Sequence, residues 1–352
     1  MRRFIYWTFV LGVTAALAGA IAYAARPWYD AARVVANVTG QTLPTSPKPT
    51  LTPVLRKTPT SAHASPTPTI APLKSPSGRV NYLLLASDND AKKHQGAAPD
   101  TQVIIFVSFD TVRKQIYMVS IPRDLWVPIP GFQTNNKIDT APEYGGLATV
   151  RSAVEANFHV TINYYAWVGL KGFVNIINSL GGVDIVVSHP MVENDFPDDL
   201  NPAGPTYAIR RFFIPAGPQH LDGVTALEYV RARHADLIGD FGRSQRQQQV
   251  LLQIKHKMKS MDIGTVPSIV QDLSGEFSTD LSMPTVLSLA SSVLSVDSKS
   301  IHHYYLDQTH GYTSNQKSPD GQQDILVGTW PKINALFQCI MSDKAYLGCK
   351  NS

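Results

Sequence analysis

From Phe4 to Ala25 the chain carries no charged residue. A helix needs about 20 apolar residues to cross the hydrocarbon core of a bilayer, so this run commits the N-terminus to a membrane and everything after it to one side. Arg2 and Arg3 precede the run, which holds the N-terminus in the cytoplasm and leaves the remainder outside. Trp7 at one end and Tyr23 and Trp28 at the other suit the two interfaces. A cleaved signal peptide is the competing reading, because Ala22-Tyr23-Ala24 resembles a processing site. The length of the run favours an uncleaved single-pass anchor over 1–28. In either case the working domain stands on the extracellular, cell-wall side.

Residues 29–78 read as a linker. From Gln41 to Ser77 the chain is dominated by Pro, Thr and Ser. Such a composition buries no core and forms an extended stalk. The folded domain is expected over 79–338, followed by a tail, 339–352, whose Cys339 and Cys349 lie close enough to pair in an oxidising compartment. A net charge of +4 on 352 residues, with no block of Lys or Arg, excludes nucleic acid as the expected partner.

Within the domain, "VNYLLLA", "TQVIIFVSFD", "QIYMVSIP", "YYAWVGL", "VDIVV", "YAIRRFFIPAG" and "SIHHYYL" read as strands, the second and third as a hairpin. "GGLATVRSAVEANF", "KGFVNIINSL", "GVTALEYVRA", Ser244–Ser260 and "PTVLSLASSVL" read as helices, and the Asp- and Pro-rich stretch Pro190–Pro205 as a loop. Strands and helices interleave throughout, which predicts an α/β fold, an α-β-α layered domain around a central mixed β-sheet.

Three groups of residues carry chemistry. Asp88 follows one apolar strand and Asp100 precedes the next, with Asp90 between them; carboxylates at strand ends supply hard oxygen ligands for Mg²⁺ or Mn²⁺. In isolation the same residues serve as turn and cap aspartates. Arg123 and Asp124 follow Pro122 at a strand end, as a local ion pair or an anion contact. Arg231, Arg233, Arg243 and Arg246 crowd one stretch. Gln247 lies one helical turn beyond Arg243, and Asp240 stands at the start of that helix. Arginine forks match phosphate oxygens, and helix N-termini favour anions; a solvated basic helix face is the alternative. There is no G-x-S-x-G, Walker A or G-x-G-x-x-G pattern.

In order, "PDTQVI", "VSIPRD", "NNKIDTAPEYGG", "INSLGGVDIVV", "GPQHLDGVTALEYVRARH" and "DFGRSQRQQQVL" resemble the LytR-CpsA-Psr family over about Val80–Lys257. The resemblance implies an Mg²⁺-dependent phosphotransferase. Such an enzyme moves a glycopolymer from a polyprenyl-pyrophosphate carrier to a peptidoglycan sugar hydroxyl, forming a phosphodiester. It implies Asp88 and Asp100 as metal ligands and Arg123, Arg231, Arg233, Arg243 and Gln247 as pyrophosphate contacts. It also implies Arg123, Asp240 and Arg243 as catalytic residues. The family commonly has Arg where this chain has Asp90 and Gly where it has Ala86. The helices containing "FVNIINSL" and "VLLQIKHKM" are expected to line a prenyl channel or simply to fill core. Competing functions are a prenyl-pyrophosphate phosphohydrolase and a non-catalytic binder of envelope polymer.

Overall fold

The computed structural model describes residues 73–349, apart from 74, 89–99, 133–134, 199, 201–204, 206–207, 233–239, 262–268, 270–272 and 274. The expected anchor, nearly all of the stalk, Asp90 and Arg233 lie outside the described residues. Among the described residues no helix is long and apolar enough to cross a membrane.

The chain opens with strands β1 (Arg79–Ser87), β2 (Thr101–Asp110) and β3 (Gln115–Ile121), then the short ladder of β4 (Trp126–Pro128) and β5 (Asn135–Lys137) and a 3₁₀ turn, Ile138–Tyr144. Helix α1 (Leu147–Phe158), β6 (Tyr164–Gly169) and α2 (Leu170–Ser179) follow. Next come β7 (Val183–Val187), β8 (Met191–Pro197), β9 (Ile209–Ile214), β10 (Gly217–Leu221) and helices α3 (Gly223–Arg231) and α4 (Asp240–Ser260). The last part holds β11 (Phe277–Thr279), α5 (Met283–Leu294), β12 (Ile301–Tyr305), β13 (Thr313–Lys317), β14 (Asp324–Gly328) and α6 (Trp330–Ile340).

Six strands form the central sheet in the order β11-β6-β1-β2-β3-β12. β1 pairs antiparallel with β2 and parallel with β6, and β3 pairs antiparallel with β2 and parallel with β12, so the sheet is mixed as expected. Adjacent residues of β2 feed opposite faces. Phe106 packs with Val150 and Val154 of α1 and with Phe337 of α6, whereas Ile105 and Phe109 pack with Leu251 of α4 and Leu289 of α5. These are the three layers.

A second core lies beside the sheet, where α2, α3, the β7–β10 ladder and the β8–β9 hairpin close over one another. α2 and α3 approach closely because Gly223 has no side chain: a Cβ there would sit 2.3 Å from the carbonyl oxygen of Val174. Gly181 and Gly182, at φ 71° and 84°, take left-handed backbone that other residues resist and end α2. We expect Gly223→Ala to cost about 2 kcal/mol through overpacking, read as a fall in the urea midpoint with an unchanged slope.

Two expectations are corrected. Met191–Pro197, taken as loop, is strand β8; it buries Met191, Glu193 and Phe196, and a register shift between Glu193 and Phe196 breaks its alternation. α4 begins at Asp240 rather than Ser244. β7 pairs with β10 outside the central sheet. Cys339 and Cys349 form a disulfide with Cα atoms 5.7 Å apart, within the usual range. It ties Cys349, buried in the main core, back to α6.

Candidate functional site

The sheet's register gathers the site. Ser87 of β1 pairs with Thr101 of β2 and with Gly169 of β6, and Ser120 of β3 pairs with Tyr305 of β12. The carboxyl ends of β1, β3, β6 and β12 and the amino end of β2 therefore meet at one edge, the usual ligand position in open α/β sheets. Asp88 and Asp100 stand one residue beyond the Ser87–Thr101 pair, at neighbouring strand ends. Asp88 is buried. Its Oδ2 lies 3.4 Å from Nη2 of Arg231, the last residue of α3.

Arg123 enters from the end of β3. Its Nη1 donates to Oε1 of Gln102 on β2, and its Nε lies 3.5 Å from Asp124, which is held in turn by Lys137 at 2.8 Å. Arg243 and Gln247 enter from α4 at helical i, i+4 spacing. Arg243 is buried, and Gln247 donates to the carbonyl of Val230 at 3.4 Å.

These groups border a cavity of about 400 Å³. Leu84 of the sheet, Phe173 of α2, Leu227 of α3 and Leu251 of α4 supply an apolar wall, and the Phe196 ring of β8 lies 5.6 Å from the Arg231 guanidinium. Both helices expected to border a channel thus contribute, α2 through Phe173 and α4 through Val250 and Leu251. The cavity lining is amphipathic: Asp88, Glu193, Asp195, Arg123, Arg231, Arg243 and Gln247 share it with aliphatic and aromatic carbon. A ligand with an anionic head and a hydrocarbon tail matches that lining.

Of the expected site residues, Asp88, Arg123, Arg231, Arg243 and Gln247 all line this cavity. Asp100 stands at its rim by register. Asp240 opens α4, but its side chain lies outside the described residues, as does all of Arg233.

A profile of the LytR_cpsA_psr family matches residues 53–334. The chain belongs to the LytR_cpsA_psr family. Among curated relatives, it is 31% identical over 212 residues to the polyisoprenyl-teichoic acid–peptidoglycan teichoic acid transferase TagV of Bacillus subtilis, covering 59% of this chain and 51% of TagV. It is 30% identical over 205 residues to the regulatory protein MsrR of Staphylococcus aureus, covering 58% of this chain and 57% of MsrR. The chain thus spans little more than half the length of these relatives. The crystal structure of B. subtilis TagV superposes with a TM-score of 0.61 at 25% identity, over 75% of this chain and 97% of that one.

This LytR_cpsA_psr chain also places at the site residues that sequence reasoning passed over. Gln102, inside the quoted "PDTQVI", orients Arg123. Glu193 and Asp195 of β8 reach the cavity, and their origin in a stretch taken as loop hid them. Asp139, inside "NNKID", is buried next to Arg123; its backbone N–H donates to the carbonyl of Arg123 at 3.1 Å. Burial pushes its carboxyl up to about 7, against the opposing pull of Arg123. Its Oδ1 finds no hydrogen-bond partner among the described residues. An acidic residue directly after an apolar Ile, two positions from Lys137, was the available signal.

One of the four crowded arginines is not a site residue. Arg246 is buried and donates from Nε to the carbonyl of Tyr229 at 2.6 Å and from Nη2 to that of Ala232 at 2.5 Å. Burial lowers its pKa to about 10, which leaves it charged at neutral pH. It caps the end of α3 that presents Arg231.

Proposed function

We propose that this chain is an extracytoplasmic phosphotransferase that moves a glycopolymer from a polyprenyl-pyrophosphate carrier to a sugar hydroxyl of peptidoglycan. The observation that carries the reading is the single cavity whose lining combines arginines and carboxylates with hydrocarbon. Family membership and the likeness to TagV, a transferase by name acting on that class of lipid and acceptor, support it. The Cys339–Cys349 disulfide accords with an oxidising, external compartment, and the uncharged run Phe4–Ala25 with a membrane anchor.

The chemistry follows from the parts. The prenyl chain lies along the apolar wall, which leaves the diphosphate against Arg123, Arg231 and Arg243. The acceptor oxygen attacks the phosphorus that bears the glycopolymer. A new P–O bond forms, the bridging P–O bond breaks, and prenyl phosphate departs. The acceptor proton passes to a carboxylate base, for which Asp240 and a carboxylate released from the metal are the candidates, and then to water. Negative charge grows on the bridging and terminal oxygens, and the three guanidinium groups, fixed in place before reaction, stabilise it.

Asp88 and Asp100 fit a divalent ion. Mg²⁺ is commonly held by one or two carboxylates together with substrate phosphates and water, and Asp88 and Asp100 follow and precede the paired residues Ser87 and Thr101 at neighbouring strand ends. Among the described residues no cluster of three or more His, Cys, Asp or Glu could hold a metal alone. Bound there, Mg²⁺ would neutralise charge on the diphosphate oxygens. Arg231, within reach of Asp88, occupies part of the same charge balance.

The test uses the purified full chain, a prenyl-diphosphate-linked saccharide and peptidoglycan. Phosphodiester-linked product is expected with Mg²⁺, and stripping divalent cations with EDTA should slow its formation by about a hundredfold or more. Saccharide phosphate released equally well without peptidoglycan would mark a hydrolase. Polymer binding with no product, indifferent to EDTA, would mark a non-catalytic binder.

A further inference from the structure

A second cavity, of about 550 Å³, adjoins the first. The two share Gln102, Val103, Arg123, Arg243 and Gln247 as a common wall. Beyond that wall the second cavity lies between the ends of β3 and β12, the segment Leu306–Thr309 and the β13–β14 ladder. Its character differs from the first.

The carboxylates that line it are each paired. Asp124 holds Lys137 at 2.8 Å, Asp324 holds Lys317 at 2.7 Å, and both oxygens of Asp307 lie 2.9 Å from Nδ1 of His310. Asp124 and Asp324 are thus each compensated by a lysine, and Asp307 is engaged by the His310 ring. Gln308, Thr309 and Asn315 line the same space and are exposed, presenting amide and hydroxyl groups. A surface of neutral donors and acceptors among engaged carboxylates suits an uncharged, hydroxyl-rich ligand better than a lipid or a second phosphate.

Geometry says which ligand. In phosphoryl transfer the attacking and leaving oxygens lie roughly in line through phosphorus. The leaving prenyl phosphate has its chain in the first cavity, and the phosphorus sits at the arginine wall. The attacking hydroxyl then approaches from the far side of that wall, which is the second cavity. We propose that this second cavity seats the acceptor saccharide, with Gln308, Thr309 and Asn315 as positioning residues. The proposal rests on the transferase reading above. The donor's own glycan shares this chemistry and is the competing source.

Asn315→Trp and Gln308→Trp fill the cavity from exposed positions, and unchanged thermal melting shows that each still folds. The probes are soluble, un-cross-linked peptidoglycan strands and a short-chain prenyl-diphosphate disaccharide. We expect the KM for strands, and their Kd measured without donor, to rise by at least about tenfold, a loss of 1.4 kcal/mol or more. The donor KM and the slow release of saccharide phosphate to water should stay as in the parent protein. A rise in donor KM with the strand KM unmoved would hand the cavity to the donor glycan and overturn the proposal. So would two variants that bind strands as well as the parent. If the parent binds strands, the variants do not, and no phosphodiester forms with either, the transferase reading fails while the saccharide seat stands.

Discussion

Arg123→Ala is expected to lower the turnover of glycopolymer transfer by roughly 10²–10³, the usual cost of removing one preorganised donor to a developing anion, with little change in thermal stability. Arg123, like Arg243, belongs to both cavities, so it faces the phosphorus from the lipid side and the acceptor side together. Its side chain is 15% exposed and is oriented by Gln102 on one side and Asp124 on the other, not buried as a strut. Because it serves the transition state more than the bound substrate, kcat should fall further than the donor KM rises. Arg123→Lys keeps the charge but loses the planar fork, so it should recover only part of the rate. Removing Arg123 also removes the positive charge that opposes burial at Asp139, and the Asp139 carboxyl should titrate higher than its present value of about 7. Because this pKa is raised by folding, stability is full below the unfolded carboxylate's pKa, is lost as pH rises to the folded value, and is flat above it. The variant's stability should therefore decline more steeply than the parent's between pH 7 and 9. An Arg123→Ala protein with parental turnover would remove the phosphate-contact role altogether.

How far the sequence foretold this site can be traced residue by residue. β1, β2, β3 and β6 of the central sheet were legible as apolar runs, which burial on both faces favours, whereas β11, only Phe277–Thr279, was too short and polar to read. β13 was not: four of the five residues in Thr313–Lys317 are exposed, and a polar strand held by its ladder to β14 leaves no alternation to read. β8 was hidden by the register shift and by acidic residues at outward and inward positions alike. The second cavity is lined in part by β13, so its existence was equally illegible. Asp88, Asp100, Arg123, Arg231, Arg243 and Gln247 were named from motif order and residue chemistry. That they meet is a consequence of strand register, which sequence spacing does not encode. Asp139 escaped because its one signal, an acidic residue directly after Ile138, is too common to announce burial.

Arg246 makes the sharpest contrast with Arg123, because the two look alike in sequence and should fail in opposite ways. Arg246→Ala is expected to destabilise the fold by about 3 kcal/mol. It removes two charge-assisted hydrogen bonds, each of a kind worth roughly 1.5–3 kcal/mol, and leaves the acceptors unsatisfied. Arg246 is 5% exposed, and its guanidinium spans the carbonyls of Tyr229 and Ala232, the residues that bracket Arg231. A cation at that position also opposes the negative end of the α3 dipole. The mutation should therefore act on the site through α3: the melting temperature falls by several degrees, and the donor KM rises because Arg231 loses its fixed mount. Arg246→Lys, with one point charge and no fork, cannot reach both carbonyls in the same plane and should restore less than half of the stability. Calorimetric melts alongside donor titrations separate the two arginines. A stable Arg246→Ala protein with impaired turnover would move Arg246 from the scaffold into the phosphate site.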